Sequence, residues 1–113
     1  MTTEERYTSK TLSVEALEAE LDTLWSDLQR SDSLVRRQAE ELKIDVGELL
    51  KFQRRDAITV QREGAGLGAA ATAILVAFAP VVAKIVKDLW VRVFLPRILR
   101  NKGEQALVPK RET

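Results

Sequence analysis

Cysteine and histidine are both absent from this chain of 113 residues. Without them there is no disulfide, no thiolate nucleophile, no imidazole metal ligand and no histidine general base. The missing cysteine fits a reducing compartment. Aromatic residues are scarce, at 5% against 31% charged residues. That balance suits helices with two-sided surfaces better than a β-sandwich, which needs more aromatic and β-branched side chains. An apolar leader is also missing. The opening MTTEERYTSK is polar and acidic, so no signal peptide is expected. At this length the simplest organisation is one domain with a modest core.

What is present is polarised. The net charge is only +1, but residues 1–29 hold seven acids and two bases, and residues 84–113 hold eight bases and three acids. An acidic head and a basic tail therefore flank a neutral middle. The basic end is the one suited to anionic lipid or nucleic acid.

Helix signals dominate the first half. Ser13 stands as an N-cap, with Leu12 and Leu17 placed as a hydrophobic staple. Val14, Leu17, Leu21, Leu24 and Leu28 then recur at spacings of three and four, a coiled-coil-like seam. It is too short to stand alone, so it is the surface through which the head meets a partner or the rest of the chain. Ser31, Asp32 and Ser33 break this helix and recap a second over about residues 33–43. Asp45 with Glu48 reads as a capping box opening a third, expected to run to about Glu63.

The run GAGLGAAATAILVAFAPVVA, residues 64–83, carries no charge. Some twenty apolar residues match a hydrocarbon core in length. Seven Leu, Ile, Val and Phe residues contribute about −2 to −4 kcal/mol to insertion, and three glycines and Pro80 oppose it, so the span is marginal. Gly64 and Gly68 form a GxxxG pair, and Ala65, Ala69, Ala73 and Ala77 repeat every four residues. On a helix this stripe permits close association in lipid. Beyond it, Ile85, Val86, Leu89, Trp90, Val93 and Phe94 share one helical face and Lys84, Lys87 and Arg92 another. Pro96 then ends the helix, and Arg97, Arg100 and Lys102 follow. Trp90 and Phe94 at headgroup depth, with Lys84, Lys87, Arg92, Arg97 and Arg100 meeting anionic lipid, describe an interfacial helix.

Two motifs compete with this reading. RQAEELKIDVGELLKF resembles a helix-turn-helix, but Lys43 stands where glycine is usual, and Asp45 and Glu48 open the second helix where phosphates would lie. Gly64, Gly66 and Gly68 resemble a phosphate-binding loop without its strand or its Lys-Ser/Thr ending. The acids are scattered along helix faces rather than converging for acid–base or metal chemistry.

The sequence thus predicts an all-α fold. A flexible N-terminus (residues 1–12) precedes an amphipathic head of two to three helices (13–63). An apolar, membrane-inserting helix and a basic amphipathic helix follow (64–102), then a flexible tail (103–113). The expected function is a non-enzymatic, membrane-associated module that self-associates and tethers or permeabilises a bilayer. Its partners are anionic lipid, further copies and a protein bound by the head, with the head held in the cytoplasm and no cofactor. In outline the layout is similar to holins and to small membrane effectors of prokaryotic defence systems, with no shared motif. The alternative is a soluble helical adaptor or assembly protein that buries residues 64–83 in a homo-oligomer. A weaker alternative is a helix-turn-helix DNA binder.

Overall fold

Ile58 and Val60 are buried while Thr59 and Gln61 are exposed. That period of two, in place of 3.6, is how a strand with one covered face behaves. The computed structural model describes residues 3–63 and 72–109 and has the element order β1 (Glu4–Ser9), α1 (Val14–Gln29), α2 (Leu34–Glu41), α3 (Val46–Leu49), α4 (Arg54–Ala57), β2 (Ile58–Arg62), β3 (Thr72–Phe78), a 3₁₀ turn (Pro80–Val82), α5 (Ala83–Leu89), a π-helical turn (Trp90–Phe94), α6 (Leu95–Lys102) and β4 (Val108–Pro109). The strands form one antiparallel sheet in the order β2-β3-β1-β4. The all-α expectation is therefore overturned: the fold is mixed α/β.

The apolar run is the main correction. Its residues 72–78 form β3, paired along both edges with β1 and β2, and a 3₁₀ turn and the start of α5 follow. An inner strand has no edge in water and its covered face lies in the core, so it can be charge-free without meeting lipid. Among the described residues no helix is long and apolar enough to cross a membrane. The expected membrane-inserting helix and its small-residue stripe are corrected together. Ala73 and Ala77 lie on a strand, whereas Gly64, Ala65, Gly68 and Ala69 fall outside the described residues. The segment read as a frayed N-terminus supplies β1, whose full length pairs with β3 from Glu4↔Ala77 to Ser9↔Thr72.

Register divides the sheet into two faces. Tyr7, Ser9, Ile58, Val60, Ile74, Val76 and Phe78 share one face, and all are buried. Arg6, Thr8, Thr59, Gln61, Leu75 and Ala77 share the other and are half-buried or exposed. The helices thus cover one side of the sheet. On the open side Arg6 Nε reaches diagonally across β3 to the Glu63 carboxylate at 3.0 and 3.1 Å.

The helical layer follows local signals closely where those are strong. Ser13 Oγ accepts the Ala16 N–H, and Leu17, Leu21, Leu24 and Leu28 of the α1 seam are buried, with Val14 half-buried. The seam packs into this chain's own core. Ser33 caps α2 and Asp45 caps α3. The third helix departs from expectation. It stops after one turn at Leu49, α4 adds another turn, and β2 begins at Ile58.

Pro96 does not end the C-terminal helix. The turn before it widens so that the Leu95 N–H bonds the Trp90 carbonyl five residues back. A π-turn of this kind lets the chain pass a proline, which lacks its own N–H and crowds the preceding turn. The wider turn also keeps Leu89, Trp90, Val93, Phe94 and Ile98 all facing the core, each fully buried.

Candidate functional site

The charged residues of the C-terminal helix define the candidate site by what engages them. Lys87 lies 3.7 Å from Glu5 of β1, and Lys102 lies 3.5 Å from Glu20 of α1. Arg97 donates to the side-chain carbonyl of Gln38 from two nitrogens, at 3.0 and 3.2 Å. Arg92 pairs with Asp88 at 3.4 Å. The acidic head and basic tail seen in the sequence therefore meet each other within the molecule. Of the residues expected to face lipid, Trp90 and Phe94 are wholly buried. Trp90 bonds Tyr7, and Phe94 stacks edge-on against Trp25 with ring centroids 6.4 Å apart. Lys84, Arg92 and Arg100 remain exposed. The structure thus disperses the expected interfacial set.

A different set is brought together. The turn joining α2 to α3 supplies Lys43, Ile44 and Asp45, which face α5 across a groove of about 690 Å³. The helix wall is formed by Lys84, Ile85 and Asp88, with Lys87 and Val91 completing it. Ile44 floors the groove at 6% exposure, Ile85 is half-buried, and Val91 is 43% exposed. Val81, at 86% exposure, stands in the 3₁₀ turn that precedes α5, four residues before Ile85.

The turn is built by a specific backbone arrangement. The Ile44 N–H bonds the Ala39 carbonyl and the Lys43 N–H bonds the Glu40 carbonyl, each at 3.0 Å. This is the Schellman pattern, whose pivot residue must be left-handed. Lys43 holds that position at φ 61°, the one non-glycine residue with positive φ among those described. Glycine is usual there because a Cβ crowds the following carbonyl. The arrangement projects a lysine from the turn and drives Ile44 down into the groove floor.

Charge in the groove is unevenly compensated. The Asp45 carboxylate accepts the Glu48 N–H at 3.1 Å, and Asp88 faces Arg92. Lys87 shares its charge with Glu5. Lys43 and Lys84 make no ion pair with any described acid. The site is therefore an apolar trough with, on each wall, a lysine that makes no ion pair with a described acid.

Chemistry is thinly represented. Among the described residues no cluster of acids is placed to hold a metal ion. The charged residue buried most deeply is Arg54, at 5% exposure. Its Nε contacts Asp22 at 2.7 Å, Nη1 donates to the Ile58 carbonyl at 3.2 Å, and Nη2 lies 3.7 Å from Glu18. Arg54 ties α1 to the start of β2. The helices flanking the Lys43 turn do form, but the second is a single turn of four residues, too short to lie along a major groove.

Comparison with protein-family models, with curated proteins and with solved structures finds no match. Sequence reasoning missed the groove because Ile44 is remote in sequence from Ile85 and Val91. The signals that could have found it were a lysine at a glycine position and an apolar residue directly after it.

Proposed function

We propose that this protein is a non-enzymatic interaction module that docks a segment of another protein in the groove between the α2–α3 turn and α5. The observation that carries this reading is the apolar trough of Ile44, Ile85 and Val91, left open between walls bearing Lys43 and Lys84. Exposed apolar surface rimmed by polar groups is the usual mark of a protein-contact site. Other charged side chains link elements of the fold: Arg54 with Asp22, Arg97 with Gln38 and Lys102 with Glu20.

A photoreactive side chain placed at Val91 in cells that make the protein tests the reading. One dominant adduct is expected, lost when Ile85→Asp is added. Adducts equally abundant from a probe at exposed Arg55 would sink it.

A second reading, self-association, rests on the open sheet face. Leu75, Ala77, Thr8 and Thr59 lie there beside the Arg6–Glu63 pair, with Val108 beside Thr8. Two copies stacking this face would bury it at the usual spacing of about 10 Å between sheets. Sedimentation of the purified chain should then show a dimer that Leu75→Lys converts to monomer.

A further inference from the structure

Resting on the docking reading above, we infer that the groove's partner is an acidic amphipathic α-helix of about three turns, laid along α5. The occupant's form follows from the walls. Both are helical or turn segments whose backbone groups are bonded internally, including the Lys43 and Ile44 N–H groups. Among the described residues no strand edge lines the groove, so a partner there binds through side chains rather than by adding a strand. A helix whose apolar residues fall at every third or fourth position is the form that does so.

Length comes from the exposed stripe. Val81, Ile85 and Val91 lie along ten residue steps from the 3₁₀ turn through α5 into the π-turn, about 15 Å at an average rise near 1.5 Å per residue. An equally long partner helix makes about three turns and presents three apolar anchors at i, i+4 and i+7.

Charge selects the flanks. Lys43 projects from the turn wall and Lys84 from the helix wall, neither with an acidic partner among the described residues, whereas Asp45 and Asp88 are already engaged. Acids on both sides of the partner's apolar stripe would meet the two lysines. Nucleic acid fits less well, because no aromatic ring among the described residues lining the groove offers a stacking platform.

The test uses the full chain and two synthetic, fluorescent helical peptides of about three turns. Both carry leucines at i, i+4 and i+7. One is flanked by glutamates and its twin by lysines. The acidic peptide is expected to bind about tenfold more tightly than its twin, by fluorescence anisotropy, and less tightly as salt rises. The double variant Lys43→Glu, Lys84→Glu should reverse that preference, and Ile85→Asp should abolish binding of both, with far-UV circular dichroism unchanged. Equal affinity for the two peptides, lost on Ile85→Asp, would overturn the acidic partner and leave the docking groove standing. Binding indifferent to Ile85→Asp, or no binding of either peptide, would remove the groove as a docking site altogether. Displacement of the acidic peptide by vesicles of anionic lipid would also overturn the inference, because it would make the groove a lipid contact.

Discussion

The indole N–H of Trp90 donates to the phenol oxygen of Tyr7 at 2.8 Å, across 83 residues of chain and inside the core. The rings meet edge to face, with centroids 5.9 Å apart. This contact pins the C-terminal helix to a central strand of the sheet, because Tyr7 belongs to β1 and Trp90 opens the π-turn. Burial raises the Tyr7 pKa from 10.0 to about 12, the Trp90 hydrogen bond opposes that rise, and nearby Glu5 adds to it.

Tyr7 gives the first prediction. It is the chain's single tyrosine, so absorbance at the tyrosinate band reports it alone. The folded protein should titrate near pH 12 and the unfolded chain near pH 10. Since the folded pKa is the higher, the neutral phenol's contribution is complete below pH 10 and is lost as pH climbs from 10 to 12. Tyr7→Phe should remove this step from the alkaline unfolding profile. It should also cost about 1–2 kcal/mol at neutral pH by leaving the Trp90 N–H buried without an acceptor. Urea unfolding measures the cost, and an unchanged midpoint would refute the bond's importance.

Arg54 and Arg55 should behave differently despite being neighbours. Arg54→Met strips Asp22 and the Ile58 carbonyl of their partner and should cost about 2 kcal/mol. The carboxylates at its rim are half-exposed and regain water, which keeps the loss below that of a sealed ion pair. Arg55→Met, at an exposed position, should stay within about 0.5 kcal/mol. Equal losses from denaturant midpoints would contradict the ties described for Arg54.

Strand alternation along residues 72–78 can be tested at two adjacent positions. Val76 is fully buried, whereas Ala77 is on the open face directly opposite Glu4 and Thr59. Val76→Asp should prevent folding, because an unpaired charge would enter the core. Ala77→Lys should be neutral within about 0.5 kcal/mol, helped by Glu4 across the ladder. Circular dichroism and thermal melting distinguish the two outcomes. A helical small-residue stripe predicts instead that Ala77→Lys is disruptive, because the small side chain would lie at a close helix contact.

Lys43 offers a stabilising change. Lys43→Gly relieves the left-handed backbone and should raise stability by about 1 kcal/mol, read as a shift in the urea midpoint at constant slope. If the groove binds as proposed, the same variant should weaken capture of the acidic peptide, separating the lysine's binding role from its backbone cost.

Much of the helical layer was legible. Ser13, Ser33 and Asp45 each cap the helix that their position announced, because a cap is a contact across three residues and needs nothing distant. The α1 seam was legible for the same reason, although its partner was the chain's own core. Strands were not. The alternation of Ile58 and Val60 with Thr59 and Gln61 is visible in retrospect, but it directly follows a helical pattern with no glycine or proline between them. Nor was the groove readable, since Ile44 and Ile85 share no local pattern.

The sequence by itself determined where α1, α2 and α3 begin, which faces of α1 and α5 are apolar, and that the chain's two ends carry opposite charge. Those properties rest on spacing and on neighbours within a turn. Only the tertiary structure decided what the charge-free stretch becomes. A short apolar run suits a lipid-facing helix or an inner strand equally well by composition. The choice falls to β1 and β2, which satisfy the backbone of β3 along both edges. The same closure turned Trp90 inward to Tyr7, and brought Glu5 and Glu20 to lysines that the linear chain had left facing outward.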